Sequence, residues 1–195
     1  MNPLFIQQNP LAINRDAFHK FHVNLQGPAI SMITIIRANY RTANHRAAIL
    51  TLINDYAADR MGQGKALPDN VQCRLLDDLS NRPWVHVFLA YQNDAAVAIS
   101  VCIEGFSTFN SAPLLNIHDV YVRPEARRQG IAQALFAHIE AEARALGCCK
   151  LTLEVLEGNA PAQAAYRQLD FTPYTINDTA GIAMFWQKHL PADPV

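Results

Sequence analysis

The sequence predicts a mixed α/β fold, one sheet packed between helices, and three observations carry that reading. Segments of strand and helix character follow one another as β-α-α-β-β-β-α-β-α-β-β, whereas a doubly wound nucleotide fold needs more regular alternation. The 195 residues, half of them hydrophobic, suffice for one domain with its own core. No internal repeat or low-complexity stretch breaks the pattern.

Regular patterning begins just after Met32 and defines one domain, 32–190. Residues 1–31 show no clean period and contain three prolines. They read as an arm packed on the domain or on a partner, or as an extension upstream of the true start. "TIIRA" (Thr34 to Ala38) reads as a short strand. "HRAAILTLINDYAADRMG" reads as a helix, with Ile49, Leu52, Ile53 and Tyr56 on one face and Gly62 beyond its end. "LPDNVQCRLLDDLSNRP" is a second helix, started by Pro68 and Asp69 and barred from continuing by Pro83. "WVHVFLAY" and "AAVAISVCIEGFSTF" are strands joined by the polar turn Gln92-Asn93-Asp94, and "LLNIHDVYV" is the next strand. "GIAQALFAHIEAEARALG" carries an apolar stripe of Ile131, Leu135, Ile139, Ala143 and Leu146, with Gly147 as its stop. "KLTLEVL" reads as a buried strand, "APAQAAYRQL" as a short helix, and "FTPYTI" and "IAMFWQKH" as closing strands.

A formal net charge of −1 argues against a general nucleic-acid or membrane binder, which needs a basic field. No stretch nears the ~18 apolar residues of a membrane span. Residues 1–31 also lack the basic start and apolar run of a signal peptide, so a cytoplasmic protein is expected. Cys73, Cys102, Cys148 and Cys149 form no C-x-x-C pair and read as reduced, mostly buried thiols. The histidines lack a paired spacing such as H-E-x-x-H, so no metal site is expected.

The stretch that carries chemistry is "HDVYVRPEARRQGIAQALF", residues 118 to 136. A strand ends at Pro124, and a helix opens at Gly130 behind Arg127, Arg128 and Gln129. The first N–H groups of a helix lack partners, and the macrodipole places positive charge there. Gly130 and Ala132 let an anion approach the backbone, and the two arginines add charge and paired donors. The arrangement is a phosphate cradle; it is not a P-loop, because G-x-x-x-x-G-K-[ST] is absent.

The region from Asn116 to Tyr174 resembles the acetyl-CoA-binding half of the GNAT superfamily of N-acetyltransferases. Its Q/R-x-x-G-x-G/A signature is met by Arg127, Gly130 and Ala132, and its Val-x-Pro strand end by Val122 and Pro124. The later Asn and A-x-x-x-Tyr…L-G-F pattern is met by Asn159, Tyr166, Leu169 and Phe171. Asp170 stands where that pattern has Gly, so a slightly different turn is expected there. The resemblance implies a mostly antiparallel sheet, splayed at the cofactor site and flanked by about four helices. It implies acetyl-CoA as cosubstrate, with the pyrophosphate on the N–H groups of Arg128, Gln129, Gly130, Ile131 and Ala132. Backbone groups of Val120, Tyr121 and Val122 would pair with the pantetheine arm like an added strand.

Acetyl transfer to an amine needs a neutral nucleophile, and a lysine-like amine of pKa ~10.4 is neutral in only about one molecule in 2,500 at pH 7. A base is therefore wanted. His118 is one candidate, and strand alternation puts it on the face of Val120 and Val122, with Asp119 on the other. "LNIHDVYV" and "GFSTF" are similar to the spermidine/spermine acetyltransferase branch, which carries Glu where His118 stands. Glu104 is a second candidate, as a water-mediated base or an amine-binding carboxylate. Asp119 reads as structural. By the resemblance, Tyr166 donates a hydrogen bond to the departing thiolate, while Asn159 caps its helix and touches the cofactor. No Ser or Cys sits in a nucleophile elbow, so direct attack is expected.

A small primary amine, such as a polyamine or an amino-acid derivative, is the favoured acceptor. A protein amine or an aminoglycoside-type antibiotic stays open. Two other readings share the cradle: a non-catalytic acyl-CoA sensor and a nucleotide-binding regulator. Pairing into a homodimer through the closing strands and the 1–31 arm is also expected.

Overall fold

A computed structural model of the chain describes residues 21–24, 32–177 and 179–190. Six strands form one sheet in chain order: β1 (Phe21–Asn24), β2 (Met32–Arg37), β3 (Val85–Gln92), β4 (Ala95–Ser107), β5 (Ala112–Val122) and β6 (Leu151–Leu153). Neighbours are antiparallel except β5 and β6, which run parallel. A parallel pair needs a crossover, and α3 (Ile131–Ala145) supplies it. Helices α1 (Ala43–Ala58) and α2 (Asp69–Ser80) lie between β2 and β3 in the chain, and α4 (Ala160–Arg167) follows β6. The mixed sheet and its four helices match the fold class read from the sequence.

The apolar runs in β3 and β4 are explained by cores on both faces of the sheet. Against α3, Phe88, Cys102, Leu115 and Ile117 pack with Ile131, Leu135 and Ile139. Against α1, Val87, Leu89, Ile99, Val101 and Tyr121 pack with Ile49 and Leu52. Successive strand residues serve alternate faces, so a strand covered on both sides has no polar face to show. Each fully buried Leu or Ile contributes roughly 1.5–3 kcal/mol.

Two features of β5 shape everything near the proposed cradle. The first is a bulge. Val101 lies opposite Asp119 and Cys102 opposite Ile117, which leaves His118 without a partner on β4. Ile117 and Val120 both pack toward α3, so alternation restarts at the bulge. His118 therefore shares the α1 face with Asp119, and not the face of Val120 and Val122 that simple alternation gave it. The hydroxyl of Ser100, fully buried, donates to the Asp119 carbonyl at 3.0 Å and holds the bulge. The second feature is a parting of strands. β6 pairs with β5 only from Leu115 to Ile117. From His118 to Val122 that edge of β5 has no strand beside it among the described residues.

Both ends of the chain depart from the sequence reading. Phe21–Asn24, inside the segment without a visible period, pairs antiparallel with β2 as an edge strand. The expectations for residues 1–20 and 25–31 lie outside the described residues. The closing strands are absent: one antiparallel bridge joins Thr175 to Ile182, and the Ala183 N–H donates to the Tyr174 carbonyl at 2.9 Å. An alternating apolar segment becomes strand only beside a sheet edge, and β6 offers three residues of edge. Phe185 and Trp186 consequently stay 75% and 79% exposed. Among the described residues no helix is long and apolar enough to cross a membrane.

Candidate active site

The cradle is built by the connection from β5 to α3. After a 3-10 turn at Pro124–Ala126, Arg128 and Gly130 both take left-handed backbone conformations, with φ of 61° and 75°. Alternating conformations of this kind gather successive N–H groups into an anion-binding concavity. The N–H groups of Arg128, Gln129, Gly130, Ile131 and Ala132 donate to no acceptor among the described residues. Gly130 caps α3 with no side chain over those donors, whereas an L residue with φ > 0 costs about 1–2 kcal/mol. Arg128 bears that cost inside the cradle. Unsatisfied donors, a helix N-terminus and an unpaired strand edge together fit the pyrophosphate and pantetheine of acetyl-CoA. Ile131 itself is 1% exposed, so only its backbone is available to a ligand.

The two arginines divide, where the sequence reading gave both to the anion. Arg127 Nη2 pairs with Asp59 at 2.8 Å and its Nε donates to the Val122 carbonyl at 2.8 Å. Its guanidinium lies 5.7 Å from the Tyr121 ring centre. Arg123 pairs in the same way with Asp55 at 3.1 Å. Asp55 in the last turn of α1 and Asp59, the residue that caps it, thus hold two arginines after β5. Tyr56, between them in sequence, sets its ring 5.8 Å from that of Tyr121. The Met61 N–H, and then Arg127, keep the Asp59 carboxyl below its ordinary pKa. Arg128 is exposed and makes no ion pair among the described residues, so its charge is free to meet an anion. Gln129 is tied down, donating to the Glu125 carbonyl and accepting from Gln92 at 2.9 Å each.

Tyr166 is placed by α4. Asn159 caps that helix by accepting from the Ala162 N–H at 3.3 Å, and Pro161 fixes the first turn. The Tyr166 ring packs 5.6 Å from Phe136 and 6.1 Å from Phe171. Asp170 adopts φ 62°, the conformation a glycine would take, so the turn expected to differ does not. The Phe171 N–H closes it onto the Tyr166 carbonyl at 3.0 Å. Burial, with Tyr56 adding to it, raises the Tyr166 pKa. The phenol keeps its proton. Tyr56 packs with the α1-side core and Tyr166 with the α3-side core.

Glu104 is not brought to this gap. It lies opposite Leu115, where β5 and β6 are still paired, and contacts His86 Nε2 at 3.3 Å. His86 is 3% exposed, and its Nδ1 meets Arg37. Burial and then Arg37 lower the His86 pKa, against an opposing pull from Glu104. The neutral ring accepts from Arg37 at Nδ1 and donates from Nε2 to Glu104. His118 stands exposed at the bulge.

Asp119, which the sequence reading took as structural, lies opposite Val101 beside the bulge, and Tyr56 packs against Tyr121. Burial raises the Asp119 pKa, and the carboxyl makes no hydrogen bond or ion pair among the described residues. A bulge leaves no mark in sequence periodicity. The Asp55/Asp59 and Arg123/Arg127 spacing was a usable signal, since both pairs are four apart. The cysteines are less buried than expected: Cys102 is buried, Cys148 half-buried, Cys73 and Cys149 exposed. Burial pushes the Cys102 thiol up to about 12, which removes it as a nucleophile. No metal-binding cluster occurs among the described residues.

Two predictions follow from these contacts. Arg128→Gln should weaken acetyl-CoA binding about tenfold or more, the loss of a charge-assisted hydrogen bond. Arg127→Gln should chiefly lower stability, by on the order of 1 kcal/mol after discounting for solvent. Calorimetric titration and urea unfolding separate the two, and equal loss of affinity in both variants would contradict the division. Second, unfolded His86 takes a proton near pH 6.5 that the folded protein refuses. Its contribution to stability is full above that pH and lost as pH falls. Urea midpoints from pH 8 to 5 should decline more steeply in the wild type than in His86→Gln.

Comparison with known proteins agrees with this geometry. The chain is 28% identical over 134 residues to thialysine N-ε-acetyltransferase of Caenorhabditis elegans, covering 69% of this chain and 81% of that one. It is 26% identical over 149 residues to aminoglycoside N(6')-acetyltransferase type 1 of Acinetobacter genomosp. 13, covering 73% and 98%. An aminoglycoside N-acetyltransferase solved with CoA superposes with a TM-score of 0.65 at 17% identity, covering 85% of this chain and all of that one. A ribosomal-protein-alanine N-acetyltransferase from Brucella melitensis biovar Abortus 2308 gives 0.58 at 17%, covering 74% and 98%. The fold alone therefore does not choose between small and protein amines. Residues 49–171 match the acetyltransferase (GNAT) family. With that match over more than half its length, the chain belongs to the GNAT family as an acetyl-CoA-dependent N-acetyltransferase and not as a non-catalytic sensor.

Proposed function

We propose that this enzyme acetylates a small primary amine by direct attack on acetyl-CoA bound along the parted edge of β5. The observation that carries the reading is the unpaired stretch from His118 to Val122, which leads into the N–H cradle at Arg128 to Ala132. Val120, Tyr121 and Val122 present the strand edge, and Arg128 with the cradle holds the pyrophosphate. Asn159 fixes the start of α4 and so the position of Tyr166.

His118, exposed at the bulge, takes a proton from the incoming ammonium. The neutral nitrogen attacks the thioester carbonyl carbon, the C–N bond forms and the C–S bond breaks. The thiolate leaves under a hydrogen bond from Tyr166. Full transfer from a phenol of ~10 to a thiolate of ~8.5 is uphill by ~2 kcal/mol, and the raised Tyr166 pKa widens that gap. Donation without transfer is the role that fits. Glu104, held by His86, is left as a structural carboxylate. The small-amine class draws support from the thialysine and aminoglycoside enzymes named above. Free cysteines and a need for acetyl-CoA favour the cytoplasm.

We also read the protein as a homodimer, because the C-terminal segment exposes Ile182, Met184, Phe185 and Trp186 together.

Mass spectrometry of CoA release across polyamines, amino acids including thialysine, aminoglycosides and peptide amines tests the activity. Turnover with a small amine is expected, and Tyr166→Phe should lower kcat by ten- to a hundredfold with the acceptor KM little changed. Turnover confined to peptide amines would overturn the substrate class, and an unchanged kcat would overturn the role of Tyr166. Sedimentation should give a dimer that Trp186→Lys dissociates; a monomeric wild type refutes the pairing.

A further inference from the structure

Arg127 stands at the mouth of the cradle, yet its charge is committed elsewhere. It immediately precedes Arg128, where the run of N–H groups without an acceptor among the described residues begins. Its guanidinium lies over the Tyr121 ring and reaches the turn after α1, where Nη2 meets the Asp59 carboxylate at 2.8 Å. The hold is double, because Nε also donates to the Val122 carbonyl.

The two partners are not equally fixed. One carboxylate oxygen of Asp59 accepts from the Met61 N–H at 2.9 Å, and the other takes Arg127. The Asp59 N–H donates to the Asp55 carbonyl, and its own carbonyl accepts from the N–H groups of Gly62 and Gly64. Asp59 is thus pinned to the turn that ends α1, with its side chain only 16% exposed. Arg127 is 46% exposed and carries the longer, more mobile side chain. A guanidinium pairs with phosphate oxygens by the same forked geometry that it offers a carboxylate. A diphosphate seated one residue away is therefore a rival for it.

We propose that Asp59 competes with the diphosphate of the cofactor for Arg127, and so holds acetyl-CoA and the CoA product more loosely than the cradle would with that arginine released. The assignment rests on the reading of the cradle as the diphosphate seat. Asp59 touches neither substrate nor cofactor; it is a positioning residue that acts through Arg127. The advantage lies in turnover. The diphosphate is the same before and after acetyl transfer, so a further arginine on it would bind both states alike and gain nothing for the chemical step. It would only slow the exit of CoA, which must leave before the next acetyl-CoA enters.

Calorimetric titration of the full chain with CoA tests this in the wild type, Asp59→Asn, Arg127→Gln and the double variant. Asparagine keeps an oxygen for the Met61 N–H and drops the charge that holds Arg127. Asp59→Asn should bind CoA about threefold tighter or more, and the double variant should return to within twofold of Arg127→Gln. A merely structural role for Asp59 cannot tighten binding. Unchanged or weaker binding in Asp59→Asn overturns the proposal. Tightening that survives in the double variant overturns it too, because the effect then comes from the Asp59 charge without Arg127. Should Asp59→Asn fail to fold, Asp59→Ser takes its place in the same comparison, and failure of both makes Asp59 structural and overturns the proposal. A wild type whose CoA affinity is untouched by Arg128→Gln overturns the reading of the cradle beneath the proposal, and the proposal with it.

Discussion

The site depends on β5 and β6 being paired and then not. Three register pairs, Leu115 to Ile117 against Leu151 to Leu153, hold the strands together. Beyond them β5 runs on with one edge unsatisfied. An unpaired edge of this kind is open to an occupant with strand-like hydrogen-bonding groups. The amides of a pantetheine arm have that chemistry. The bulge at His118 falls where the pairing stops, and it turns two consecutive polar side chains, His118 and Asp119, toward α1.

Beside the parted strands, α1 is tied to the chain that leads from β5 into the cradle. The Asp55–Arg123 and Asp59–Arg127 pairs do this, with the tilted rings of Tyr56 and Tyr121 in contact. Exposed ion pairs each contribute little. Two in register with an aromatic contact constrain orientation more than they add stability. Spending Arg127 on this latch leaves the anion to backbone donors and Arg128. Backbone donors suit that task, because they are fixed by the fold and lose no side-chain entropy on binding.

Much of this was legible in the sequence, and the failures have a common cause. The strands, the four helices and the cradle followed from periodicity, turn residues and helix-end chemistry, all of which are local. What escaped depends on which residue lies across from which. The bulge at His118, the capture of Arg127 by Asp59 and the tethering of Glu104 to His86 are set by pairing between distant segments. The closing strands failed for the related reason that alternation states a preference and only a sheet edge satisfies it.

The two faces of the sheet have separate duties, and the carboxylates show it. On the α3 face Glu104 is completed by His86, which is completed in turn by Arg37, so that chain is closed and needs no ligand. On the α1 face two carboxylates are closed by arginines and one is not. The third, Asp119, lies one residue from the exposed histidine, beside the edge of β5 that has no strand next to it among the described residues.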